Sequence, residues 1–166
     1  MKDRIKQLLH HPLLSNRWFL MGLWFVIALA GMLKYNRSFN NFLIFRGVYW
    51  HTVNQTSLYA AYPAEYGDVN HYGPVFSLVI APFALLPLWA GMLLWLVFLT
   101  AWLYVAIVRS GLHEKQKIFI LWFCGITLPT ALFMQQFNIA VAAMILSSFF
   151  LIEKEKDCWA AFFIVL

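Results

Sequence analysis

Charge is what this sequence has least of. Asp, Glu, Lys and Arg make up 11% of its 166 residues, where a soluble domain carries about a quarter, and only seven of them are acids. A chain so poor in charge cannot cover a folded surface with solvated side chains, which excludes a water-soluble globular domain. The two cysteines, Cys124 inside an apolar run and Cys158 at the mouth of another, exclude a disulfide framework. His51, Glu65, Asp68 and His71 could be assembled into a divalent-metal site, but no His-x-x-x-His pair or other compact ligand spacing occurs, so no metal is expected, and no cofactor is called for. Internal repeats and low-complexity linkers are also missing, which leaves a single domain. The apolar runs hold essentially no acid or base, and an ion relay across a membrane needs them.

What is abundant is apolar. The chain is 63% hydrophobic and 19% aromatic, with a mean hydropathy of +0.71, the composition of an integral membrane protein. Its length accommodates about four to five spanning helices of about 20 residues each. The net charge of +5 does not point to nucleic acid, because the basic residues flank apolar runs instead of forming a stripe.

Those flanks predict the topology of a multi-pass protein of the plasma or inner membrane, with membrane lipids around it. Lys2, Arg4, Lys6 and Arg17 precede a first span over 18–33 and put the N-terminus in the cytoplasm by the positive-inside rule. Ala28-Leu29-Ala30 before Gly31 has the small-x-small form of a signal-peptidase site, but the long basic leader and the later spans favour an anchor. A second span over 88–108 ends in Arg109, Lys115 and Lys117, a third over 118–134 leads outward, and a fourth over 139–152 returns to Lys154 and Lys156. The turn between the last two, Gln135-Gln136-Phe137-Asn138, lacks basic residues and faces outward. A fifth span starts at 158–166, and its interruption marks the sequence as the N-terminal part of a longer protein. This scheme requires that Pro74–Leu86, about 13 residues long with Pro82 inside, forms a juxtamembrane or re-entrant helix and does not cross.

The expected fold is therefore all-α, a polytopic transmembrane helix bundle whose first outer loop, 34–87, carries juxtamembrane helices. Within that loop, Asn40–Val53 has helical spacing. Phe42, Phe45, Tyr49 and Val53 share a face, Arg46 sits one turn before Trp50, and Asn41 and His51 lie elsewhere, the pattern of a helix lying on the membrane surface. Tyr59 to Asp68 contains Pro63 and Gly67, which break a helix and shape a turn around two carboxylates, Glu65 and Asp68. His71-Tyr72-Gly73-Pro74 leads into the short helix, with Pro74 suited to its first turn. The sequons Asn36-Arg37-Ser38 and Asn54-Gln55-Thr56 fall in the same loop and are weak signals alone.

The order of a first span, the Asn-Phe helix, Leu58-Tyr59, Tyr72-Gly73-Pro74, the Phe76–Pro87 run and the Gln136-Phe137-Asn138 turn resembles glycosyltransferase family 87. The resemblance implies a membrane enzyme of the GT-C class. Such an enzyme moves a hexose, mannose being the best known, from a polyprenyl-phosphate donor to a lipid or glycan acceptor with inversion at the anomeric carbon. It also implies that an acid of the first outer loop deprotonates the acceptor hydroxyl. Family members commonly carry Asp just before the Phe, where this chain has Asn40 and Asn41, and an amide cannot be that base.

Asp3, Glu114, Glu153, Glu155 and Asp157 fall on the cytoplasmic side of the predicted topology. Glu65 and Asp68 remain as candidate catalytic bases; the plainer reading is that both solvate or cap a surface turn. Arg46, with Arg37 second, is the candidate clamp for the donor phosphate, against ordinary contact with lipid headgroups. His51, His71, Tyr72, Gln136 and Asn138 are candidate substrate contacts, with Gln136 and Asn138 also able to cap a helix junction. The competing class is a non-catalytic membrane protein, a transporter subunit or an assembly factor, in which the loop docks a partner.

Overall fold

The computed structural model describes residues 12–35 and 39–165. Seven α-helices and no strand occur among them: α1 (Arg17–Gly31), α2 (Asn40–Val53), α3 (Phe76–Ala84), α4 (Leu88–Arg109), α5 (Glu114–Phe133), α6 (Asn138–Ile152) and α7 (Asp157–Val165). The fold is an all-helical bundle. Two helices, α4 and α5, are long and apolar enough to cross a membrane.

Local chemistry sets the ends of the helices. Asn16 caps α1, its side chain accepting from the N–H groups of Trp18 and Phe19 at 2.8 and 3.3 Å. In α5 the N–H of His113 donates to the Gln116 side chain at 3.0 Å, and Lys117 pairs with Glu114 one turn on. Gln55 after α2 (φ 56°), Gln135 after α5 (φ 47°) and Glu155 after α6 (φ 56°) adopt the left-handed conformation. At each, the next N–H reaches back to a carbonyl of the last turn, Thr56 to His51, Gln136 to Ala131 and Lys156 to Leu151, all at 2.9 Å. This is the helix stop that usually takes glycine. A side chain at such a position costs about 1–2 kcal/mol; Gln135 is buried, whereas Gln55 and Glu155 are exposed.

Helix α4 is the hub. It touches α1, α3, α5 and α6, and Met92, Trp95, Leu96, Leu99 and Ile107 along it are fully buried. Helix α1 is wedged between α4 and α5, where Trp24 meets Tyr104 edge to face at 5.7 Å and Ala28 and Leu20 are sealed from solvent. Gly31 lets α1 approach Leu96, whose methyl carbon would lie 2.9 Å from an added Cβ. Tyr104 donates its hydroxyl proton to the Arg17 carbonyl, and Trp122 Nε1 donates to the Leu14 carbonyl at 2.8 Å. Together they fix the entry of α1 to α4 and α5.

The segment between α1 and α4 is folded onto the bundle. Helix α2 occupies the residues its spacing predicts, but its setting differs from a helix resting on a membrane surface. Phe42, Ile44, Phe45, Gly47, Val48 and His51 are buried, which is more than one face of the cylinder, whereas Val53 is exposed. The spacing identifies an apolar face without saying what covers it, and here α3 covers one side and the 57–72 loop another. Helix α3, with nine residues and Pro82 inside, rises only about 14 Å. It packs on α2 and α4. Pro74 precedes it, its carbonyl accepting from the Ser77 N–H and hydroxyl at 3.0 and 2.6 Å.

Candidate active site

A cluster of rings forms the floor. Phe45 of α2 meets Phe76 of α3 and Trp95 of α4 edge-on at 5.3 and 5.8 Å, Phe76 meets Phe137 at 5.0 Å, and Tyr72 stacks on Phe76 at 4.5 Å. Four separate segments thus converge on one apolar patch, and edge-to-face contacts of this kind add to the burial that holds them. Burial raises the Tyr72 phenol above its usual pKa, so it stays a neutral donor near pH 7.

Above this floor lies a pocket of about 240 Å³ lined by Asn41, Ile44, Phe45, Asp68, Val69, His71, Tyr72, Gln136, Phe137 and Asn138. Five of the residues singled out in the sequence come together in it: Asp68, His71, Tyr72, Gln136 and Asn138. They arrive from two distant stretches. The 57–72 loop is knotted by Asn70, which is 3% exposed. Its Nδ2 donates to the carbonyls of Leu58 and Tyr72 at 3.1 and 2.9 Å, and its Oδ1 accepts from the Tyr72 N–H at 2.9 Å. The second stretch is the α5–α6 reversal at Gln135, whose Nε2 donates to the Phe133 carbonyl at 2.9 Å.

The two asparagines that stand before Phe42 join these stretches to α2. Oδ1 of Asn40 accepts from the Gly67 N–H at 2.6 Å, beside Asp68. Nδ2 of Asn41 donates to the Met134 carbonyl at 2.6 Å, beside Gln135.

Asp68 is exposed. One of its oxygens accepts from the Val69 N–H at 2.8 Å, and it joins no ion pair among the described residues. The N-terminus of α6 lines the same pocket. Phe137 at its start supplies no capping side chain and no acid occupies the first turn, while Ala140 is the first residue to bond back, to the Phe137 carbonyl at 2.8 Å. Unengaged N–H groups and the helix dipole make such an end favourable for an anion.

The remaining sequence candidates lie elsewhere. Glu65 is engaged with His51, Oε2 to Nε2 at 3.0 Å. His51 is buried, packed under the ring of Tyr62 at a centroid distance of 3.8 Å, and does not line the pocket. The sequence placed His51 off the apolar face, which is correct for the helix but hides that the following loop folds back over that side. Arg46 also lies off the pocket, about 100° round α2 from Phe45 and about 140° from Asn41. Burial lowers its pKa from the usual arginine value, with Tyr35 partly offsetting this, and it forms no ion pair among the described residues. Arg37 lies outside the described residues. The pocket residues the sequence reading did not single out as ligands are Asn41, Ile44, Phe45, Val69 and Phe137. Only Asn41 and Phe137 carried a signal, the first as an amide beside the loop's start, the second as the middle of Gln136-Phe137-Asn138.

No curated protein and no solved structure matches this chain. One family model does: it covers residues 70–166, from the Asn70 knot through α3, the α4 hub and the α5–α6 reversal, and takes in more than half of the sequence. It starts later than the resemblance read from the sequence, which began at the first span. A helical membrane protein with this match belongs to glycosyltransferase family 87.

Proposed function

We propose that the pocket between Asp68 and the start of α6 is a sugar-transfer site, and that Asp68 is its general base. The observation that carries this is the convergence of a carboxylate without an ion pair, a histidine, three amides and an open helix N-terminus in one pocket of about 240 Å³. Family membership supplies the reaction class. The donor in this reading is a polyprenyl-phosphate hexose such as mannose, and the acceptor is a lipid or glycan at the outer leaflet of the cell membrane, with the N-terminus cytoplasmic.

The roles follow from charge. The Asp68 carboxylate takes the proton of the acceptor hydroxyl as the acceptor oxygen bonds to the anomeric carbon. On the opposite face the bond from that carbon to the phosphate oxygen breaks, its electron pair leaving with the lipid phosphate. The growing negative charge is met by the α6 N-terminus and by His71. Gln136, Asn138 and Tyr72 bond sugar hydroxyls over the aromatic floor. Glu65 is the weaker base candidate, because its carboxylate is already held by His51.

The test is transfer from a synthetic polyprenyl-phosphate mannose by purified full-length protein. Asp68→Asn is expected to lower turnover about 10²-fold or more, Glu65→Gln much less, and His71→Ala more than Arg46→Ala. Wild-type turnover in Asp68→Asn removes the assignment.

A further inference from the structure

Another pocket, mostly apolar but edged by cations, lies at the far end of α6, about 20 Å along the helix from Asn138. It measures about 300 Å³, and Arg109, Ser110, Lys154 and Lys156 are among its lining residues together with Trp102 and Phe150. None of its three cations joins an ion pair among the described residues, although Glu153, Glu155 and Asp157 are their neighbours in sequence. Ser110 is 4% exposed, and its hydroxyl has no hydrogen-bond partner. A buried hydroxyl without a partner is costly unless something else bonds it. The apolar remainder of the lining leads from the cations along α4 and α7.

We propose that this pocket binds the headgroup phosphate of an anionic membrane phospholipid. The phosphate sits among Arg109, Lys154 and Lys156 and accepts from the Ser110 hydroxyl, while an acyl chain lies against Trp102 and Phe150. Cations at one end and rings at the other suit an amphiphile better than a free anion, which would leave the aromatic half unused. The site is distinct from the Asp68 pocket and stands whether or not that pocket transfers sugar.

Trp102 is partly buried beside the site, so the measurement is quenching of tryptophan fluorescence by a phospholipid brominated on its chains. Purified full-length protein in neutral detergent is titrated with brominated phosphatidylglycerol or with phosphatidylcholine bearing the same chains, and glycerol phosphate is added as a competitor. Phosphatidylglycerol is expected to bind at least tenfold tighter than phosphatidylcholine. Replacing Arg109, Lys154 and Lys156 together by Gln should remove that preference, and Ser110→Ala should weaken phosphatidylglycerol several-fold. Exchanging Arg109→Lys, Lys154→Arg and Lys156→Arg together keeps the charge and should keep the preference, which separates loss of charge from loss of fold. Equal quenching by the two lipids overturns the proposal. So does full displacement by millimolar glycerol phosphate, which would make this a site for a soluble anion.

Discussion

The backbone N–H of Gly67 donates to Oδ1 of Asn40 at 2.6 Å, a bond that ties the first residue of α2 to the residue beside Asp68 across 27 positions of chain. Next to it Asn41 donates from Nδ2 to the Met134 carbonyl, at the start of the α5–α6 reversal. One asparagine accepts and the other donates, so the pair responds differently to the same change. Asn40→Asp keeps its acceptor and is expected to melt near wild type, whereas Asn40→Ala loses about 0.5–1.5 kcal/mol. Asn41→Asp replaces a donor by a carboxylate facing a carbonyl and should cost more, about 1–3 kcal/mol. Thermal unfolding in detergent measures all three, and equal melting of the Asp and Ala variants at position 40 would show that the Gly67 bond contributes nothing.

Gly91 sets how closely the last turn of α3 approaches α4. A Cβ there would collide with the Phe83 carbonyl oxygen and sit 3.2 Å from Phe42 Cζ. The obstruction is backbone and cannot rotate away. Gly91→Ala is expected to lose about 1–3 kcal/mol or more. At Gly22 on α1 an added Cβ would have nothing within 4 Å, so Gly22→Ala should be neutral or gain up to about 1 kcal/mol from helix propensity. Unfolding midpoints of the two variants check the contrast, and a Gly91→Ala midpoint at or above wild type would contradict the close approach.

Tyr66 is 5% exposed and packs against Gly47, where an added Cβ would lie 2.7 Å from its ring. Its hydroxyl has no partner. Burial raises its pKa, with Glu65 and then Tyr62 adding to the effect. A folded-state pKa above the unfolded one means the neutral phenol is favoured by folding. Its contribution is whole below the ordinary tyrosine value near 10 and is lost as pH rises through the higher folded value. Tyr66→Phe should therefore be neutral or stabilising by up to about 1 kcal/mol at pH 8, and should lose less stability than wild type between about pH 9 and 11. The same alkaline loss in both proteins would mean that Tyr66 does not ionise in a buried setting.

The basic flanks predict sidedness. In a background lacking Cys124 and Cys158, a cysteine at exposed position Ser57 should react with an impermeant thiol reagent added outside cells, and one at exposed position Lys115 should not. The reverse pattern would invert the proposed topology and place the Asp68 pocket on the cytoplasmic face.

Much of the architecture was legible in the sequence. Apolar runs and their breaks specify helices almost by themselves, because an i to i+4 backbone bond needs only local chain. The spacing of Phe42, Phe45, Tyr49 and Val53 predicted a helix over Asn40–Val53, and that helix is present. The polar residues of the 65–72 turn and of Gln136-Phe137-Asn138 were visible as candidates because amides and acids are scarce in such a chain.

Tertiary structure alone decided which of those candidates meet. Glu65 and Asp68 are three residues apart and equivalent by composition, yet the turn between them points one to His51 and the other into the pocket. Arg46 and Asn41 share a helix, and the packing of α2 on α3 fixes which of them faces α6. The Asn40 and Asn41 bonds and the Asn70 knot are contacts between a side chain and a distant backbone group, and no local periodicity encodes such a partner. The sequence thus determined the helices and the inventory of polar groups, through short-range backbone geometry and hydrophobicity. The assembly of a site from that inventory depended on long-range packing, in which one rotation of a helix by 100° exchanges a residue that lines a pocket for one that does not.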